Sequence, residues 1–149
     1  RGLPVLVKLS PNVTDIREIA GAAVDAGATG LTLVNTVLGL SIDAERRRPV
    51  LGAGGGGLSG PAIKPIALRV VADVARELPS VPIIGTGGVL TGLDAVEMLL
   101  AGASAVGVGT ATFRDPRAAL HIHDELVEWC ATHNVRRVAD LTGSMTWPT

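Results

Sequence analysis

The sequence contains no tyrosine, one phenylalanine and two tryptophans, so aromatics make up 2% of its 149 residues. Binding of single-stranded nucleic acid by base stacking needs aromatic platforms, and that class is excluded. Positive charge is not in excess either. Lysine plus arginine number 13 against 14 acidic residues, for a net charge of −1, which leaves no basic footprint for nucleic acid. The one cysteine, Cys130, cannot build an internal disulfide framework and fits a reducing, cytoplasmic setting. No signal-peptide pattern is present. Residues 26–42, 78–93 and 98–113 are uncharged, but glycines and Thr, Asn or Ser interrupt each, so none is the continuous apolar run of ~18 residues that spans a membrane. The chain begins at Arg1 without a methionine, and it is expected to be a piece of something longer.

Hydrophobic residues make up 47% of the chain, enough for one domain with a sizeable core. Short apolar, β-branched runs that stop at glycines or small polar residues predict buried parallel strands at 4–10, 30–36, 82–85 and 105–109. Between them, apolar residues recur at helical spacing. Ile16, Ile19, Ala20, Ala23 and Val24 mark a helix ending at Ala26, with Thr14 or Asp15 as its N-cap, Asp15 and Glu18 at capping-pair spacing, and Gly27 as its stop. A second helix lies within 61–77. A third runs from 91 to 101, opened by Thr91 and Asp94 at capping-box spacing. The last is expected from Asp115-Pro116 to about Asn134, followed by a short irregular tail. Residues 37–60 form a long connection ending in four consecutive glycines, and a connection this long is usually functional or mobile.

Alternation of strand and helix means a parallel sheet with crossover helices. Without the long connection, the repeating unit is roughly 25–30 residues, that of a (β/α)8 TIM barrel of ~250 residues, so four units are half a barrel. A doubly wound sheet is the alternative, but its glycine fingerprint belongs on the first unit, whereas here the glycine signals close the last two strands.

Gly87-Gly88 and Gly109-Thr110 therefore sit at adjacent strand ends, where backbone N–H groups can hold one phosphate. Tight βα turns with no ligand are the alternative. Lys8 interrupts a strand expected to be buried; it is either functional or a lysine whose stem lies along the strand end with its charge in water. In a barrel the C-terminal strand ends form the active face, which puts Lys8, Asn35 and Gly87 on one rim. Asn35-Thr36 either hydrogen-bonds a planar polar substrate or simply turns the chain. Arg46, Arg47 and Arg48 read as a solvated loop. His121 and His123 point about 200° apart on a helix and cannot share a metal ion. Cys130 reads as a small buried hydrophobe, with no adjacent base to make it a nucleophile.

Several stretches together resemble the dihydroorotate dehydrogenase family: Val7-Lys8-Leu9-Ser10-Pro11-Asn12, Val34-Asn35-Thr36, the run from Gly56-Gly57-Leu58-Ser59-Gly60 to Arg69, Ile84-Gly85-Thr86-Gly87-Gly88 and Gly107-Val108-Gly109-Thr110. The resemblance covers residues 1–149 as the C-terminal half of a single FMN-binding barrel domain. Gly-Gly-Leu-Ser-Gly-Pro-Ala-Ile-Lys-Pro looks like the class 1B, NAD-linked catalytic subunit, whose partner subunit carries FAD and an iron–sulfur cluster. The resemblance implies oxidation of dihydroorotate to orotate in pyrimidine biosynthesis, with hydride transfer to flavin N5. It places Lys8 against the FMN ring, Val34 on the FMN side, and Gly60, Gly87, Gly88, Gly109 and Thr110 around the ribityl phosphate. Asn35 and Thr36 would bind substrate. The catalytic base, a cysteine in this class, would lie in the first half of the barrel, so no catalytic residue is expected in this chain and the chain alone is expected to be inactive. A homodimer of catalytic subunits is also implied. Two rival readings remain: the flavin barrel domain of a dihydropyrimidine dehydrogenase-like enzyme, and a non-catalytic phosphate-binding half-barrel.

Overall fold

The computed structural model describes residues 2–148. Four short strands, β1 (Leu6–Leu9), β2 (Gly30–Leu33), β7 (Ile83–Thr86) and β8 (Ala105–Gly107), form one parallel sheet in the order β1-β2-β7-β8. Helices α1 (Ile16–Asp25), α2 (Lys64–Glu77) and α3 (Gly92–Ala101) make the three crossovers. After β8 come a single-turn helix, α4 (Ala111–Arg114), and then α5 (Ala118–Thr132). The strand–helix alternation of the sequence is thus realised as consecutive βα units.

Local chemistry accounts for the helix boundaries. Asp15 caps α1 by accepting a hydrogen bond from the Arg17 N–H, and Gly27 follows the helix at φ 99°, the left-handed conformation that glycine adopts without penalty. Thr91 and Asp94 form a complete capping box at the start of α3. The last helix begins slightly later than expected. Asp115 is extended, at φ −138° and ψ 110°, and its carboxylate accepts from the Arg117 N–H, so α5 begins at Ala118, just past the expected Asp115-Pro116, and the single turn α4 precedes it.

Register sorts the sheet into two faces. Leu9, Leu31, Leu33 and Ile83 point toward the helices and are buried against Ala20, Ala67, Val71 and Met98. Lys8, Thr32, Ile84 and Ala105 lie in one register row on the opposite face. That face is open: Leu6 is 51% exposed, and Lys8 and Ala105 are exposed too. The expectation that Lys8 is buried is therefore corrected. Its strand is an edge strand, and helices cover only one of its sides. A parallel sheet ordinarily has both faces covered, and an uncovered face suits the interior of a barrel of which this chain builds part.

The long connection is folded. Strands β3 (Val37–Gly39) and β6 (Gly56–Leu58) pair antiparallel, and within them β4 (Ile42–Asp43) pairs with β5 (Arg48–Pro49). Arg46, Arg47 and Arg48 are exposed around the tip of this ribbon, where Arg46 pairs with Asp43. Cys130 is buried with Leu99 and Leu141 in a small second cluster under the tail. No described helix is long and apolar enough to cross a membrane.

Candidate functional site

A cavity of about 130 Å³ opens at the C-terminal ends of the four sheet strands. Lys8, Val34, Asn35 and Thr36 line one side of it, from the ends of β1 and β2. Gly60, Gly87, Gly88, Gly109 and Thr110 line the other. All nine residues singled out in the sequence thus border a single space, although they come from segments spread over a hundred positions. Lys8 is the only charged residue among the described lining residues.

The glycine side is built by close backbone approach. Gly60 lies at φ 83° just before the turn Pro61–Ile63, which runs directly into α2. Gly87 and Gly88 have φ of 126° and 81°. A Cβ on Gly88 would stand 2.7 Å from Lys64 Cβ and 2.9 Å from the Lys64 backbone, so the turn after β7 rests directly on the first residue of α2. Gly109 is different, since a Cβ there would meet nothing within 4 Å. Among the described residues, the backbone N–H groups of Gly88, Gly109 and Thr110 have no hydrogen-bond partner. Donors left free beside a helix N-terminal end form an anion cradle.

The second side carries directional polar groups. The Val34 N–H donates to Thr86 O at 2.9 Å and the Asn35 N–H to Leu9 O at 2.8 Å, so sheet pairing continues past the end of β2. The Asn35 carboxamide oxygen accepts from the Thr36 N–H at 2.8 Å, which leaves the Asn35 Nδ2 donors for a ligand. Thr36 lies over β6, where a Cβ on Gly57 would collide with Thr36 Oγ1. The glycine-rich end of the connection is therefore a surface against which Thr36 packs.

Sequence reasoning missed some residues of the site. Ser59, whose hydroxyl accepts from Thr110 Oγ1 at 2.9 Å, lines the cavity, as do Thr86, Ile63, Val89 and Leu90. Two-residue alternation along β7 puts Thr86 on the same face as Ile84 and could have signalled it. Asn12, named in the sequence only as the last residue of the Val7–Asn12 stretch, sends its side chain to the segment carrying Asn35 and Thr36.

Behind the glycine side sits an ion cluster. Lys64 Nζ lies 2.6 Å from Asp94 Oδ1 and 2.7 Å from Glu97 Oε2. Asp94 Oδ2 accepts from the N–H groups of Leu90 and Thr91 at 2.8 and 2.9 Å. Asp94 is 8% exposed. Burial pushes its carboxyl pKa up, but Lys64 and the two backbone N–H groups outweigh that and hold it below the ordinary value. The hydrogen bonds to Asp94 and then Glu97 raise the Lys64 ammonium above its own. Asp94→Ala strands the ammonium and two N–H groups, and is expected to lower the unfolding free energy at pH 7 by about 3 kcal/mol in a urea titration. The Asp94 contribution is complete above its ordinary value of 3.8 and is lost as pH falls through the folded value. The Lys64 contribution is complete below 10.5 and is lost above it. The gap between wild type and variant is therefore flat from about pH 6 to 9 and closes below about pH 4.

A parallel sheet with one helix-covered face, one open face and cavity-lining glycines at its C-terminal strand ends is part of a (β/α)8 barrel. The chain belongs to the dihydroorotate dehydrogenase family, whose model matches residues 2–129. It is 57% identical over 142 residues to a putative dihydroorotate dehydrogenase A (fumarate) of Solibacter usitatus (strain Ellin6076). It is 54% identical, also over 142 residues, to the catalytic subunit of dihydroorotate dehydrogenase B (NAD(+)) of Geobacter sp. (strain M21). Each match covers 95% of this chain and 46% of the relative, so the chain spans about half the length of these curated relatives. Among solved structures, that of DHODH in complex with ferulenol from Eimeria tenella superposes with a TM-score of 0.78 at 35% identity, over 95% of this chain and 38% of the other.

Proposed function

We propose that residues 1–149 are the C-terminal half of an FMN-dependent dihydroorotate dehydrogenase barrel that oxidises dihydroorotate to orotate in pyrimidine biosynthesis. The observation that carries this is the cavity itself: unpartnered N–H donors and a helix N-terminal end on one side, one lysine and a carboxamide on the other. These groups fit a phosphate at one end of a ligand and an electron-rich heterocycle at the other. Bound there, FMN supplies a two-electron acceptor. Gly60, Gly87, Gly88, Gly109 and Thr110 hold its phosphate, and Val34 supplies an apolar wall. Lys8 sets a positive charge beside the ring. Asn35 and Thr36 orient the substrate by hydrogen bonds. The C5 proton of dihydroorotate leaves to a base in the other half of the barrel, which this chain does not supply.

Relatives named as NAD(+)-type catalytic subunits support the class 1B assignment. With it come a partner subunit bearing FAD and an iron–sulfur cluster, a homodimer of catalytic subunits, and a cytoplasmic setting. The test is a flavin fluorescence titration of the intact protein. FMN is expected to bind at least about 100-fold more tightly than riboflavin, the difference that charge-assisted hydrogen bonds to phosphate supply. Equal affinities would remove the phosphate cradle. Given FMN, the 149-residue chain alone is expected to turn over no dihydroorotate, and robust turnover would refute the missing-base argument.

A further inference from the structure

We propose that Asn12 is a positioning residue for substrate recognition: its carboxamide fixes the segment that presents Asn35 and Thr36 to the ligand, a role that rests on the reading of those two residues as substrate contacts. Asn12 follows β1, and its side chain reaches across to the far end of β2. Nδ2 donates to Thr36 O at 2.9 Å, and Oδ1 accepts from the Leu38 N–H at 2.8 Å. The second Nδ2 hydrogen reaches Ser10 Oγ at 2.9 Å, and the Thr36 carbonyl, which only accepts, and the Leu38 N–H, which only donates, settle the direction of the amide. The two long-range bonds bracket Thr36: one takes its carbonyl, and the other takes the N–H two residues on. The Asn35 N–H is tied to Leu9 O at the end of β1, so β1 and the turn after it hold the peptide groups on either side of the Asn35–Thr36 pair.

Few other side chains can do this. The site asks for one donor and one acceptor on a short, planar group, and asparagine supplies both. An aspartate at this position keeps the acceptor for Leu38 but sets a carboxylate oxygen against the Thr36 carbonyl. A leucine, of similar size, makes neither bond. Asn12 is not among the residues that line the cavity, so its effect on a ligand passes through Asn35 and Thr36. The glycine side, which serves the phosphate, has no contact with it. Loss of the clamp should therefore separate substrate affinity from flavin affinity. Displacement by an ångström at a binding group is enough for a large loss.

The experiment uses the intact flavoprotein and compares wild type with Asn12→Asp and Asn12→Leu. Orotate is titrated into the FMN-loaded proteins and read by the flavin absorbance change, FMN affinity is read separately by fluorescence, and hydrogen exchange is followed at the Leu38 amide. The orotate Kd and the KM for dihydroorotate are expected to rise at least about tenfold in both variants, with FMN affinity and melting temperature near wild type. The Leu38 amide is expected to exchange faster in Asn12→Leu and to stay protected in Asn12→Asp, a difference that general destabilisation does not produce. Unchanged orotate affinity in the variants, or an equal loss of FMN and orotate affinity, overturns the role of Asn12. If wild-type protein binds FMN but gives no response to orotate, the substrate reading of Asn35 and Thr36 fails, and the role of Asn12 with it.

Discussion

Gly88→Ala is expected to lose FMN and to lose stability together, whereas Gly109→Ala loses FMN alone. At Gly88 two costs add. The residue lies at φ 81°, where an alanine costs about 1 kcal/mol. Its new Cβ would also stand 2.9 Å from Cα and N of Lys64. That backbone cannot yield easily, because the Lys64 side chain is held by Asp94 and Glu97. Overpacking of this kind adds about 1–3 kcal/mol, for a total near 3 kcal/mol. Gly109 has an ordinary φ and open space around it, so an alanine methyl there meets only whatever occupies the cavity. Urea unfolding of the apo proteins and fluorescence titration with FMN separate the two effects. A Gly109→Ala protein that binds FMN as wild type does would mean that the ligand lies elsewhere.

Lys8→Met in the intact enzyme is expected to lower kcat by about 10²–10³ while FMN remains bound. That is the usual loss when one preorganised charge or donor is removed from the place where opposite charge develops. Lys8 is the only charged residue among the described lining residues, and no ion pair within the described residues occupies it. Methionine keeps the length of the side chain and its packing along β1, so loss of fold does not account for the result. Lys8→Arg should recover only part of the rate, because a planar guanidinium on a longer stem displaces the charge. A Lys8→Met enzyme with near wild-type turnover would remove the lysine from the chemistry of the site.

The sheet strands, α1 and the Thr91–Asp94 capping box were legible because each is local: an apolar run, a repeat of three to four, a pair of polar residues at fixed spacing. That Lys8, Asn35, Thr36, Gly87, Gly88, Gly109 and Thr110 share one cavity was legible for a related reason, since barrel geometry puts every C-terminal strand end on one rim, whereas Val34 and Gly60 were named by the family resemblance alone. The nested ribbon from Val37 to Leu58 was not. Half of its outer pair, β3 and β6, is glycine, which has little strand propensity, and only the position of Thr36 over Gly57 explains why a side chain cannot stand there. The exposure of Lys8 was misread because an apolar strand looks the same at the edge of a sheet as in its middle. Asn12 was passed over because asparagine after proline is ordinary turn chemistry, and its partners lie 24 and 26 residues away.

The cavity draws its walls from residues as far apart in sequence as Lys8 and Thr110, and every sheet strand contributes an end to it. A ligand that seats there must find all four strands already in register, so it binds the folded chain and has no foothold on the unfolded one. Folding and ligand capture are then one equilibrium: at a free ligand concentration 100 times its Kd, the native state gains about 2.7 kcal/mol. The occupant of the rim thereby serves as a non-covalent crosslink for a sheet whose inner face the chain itself leaves open.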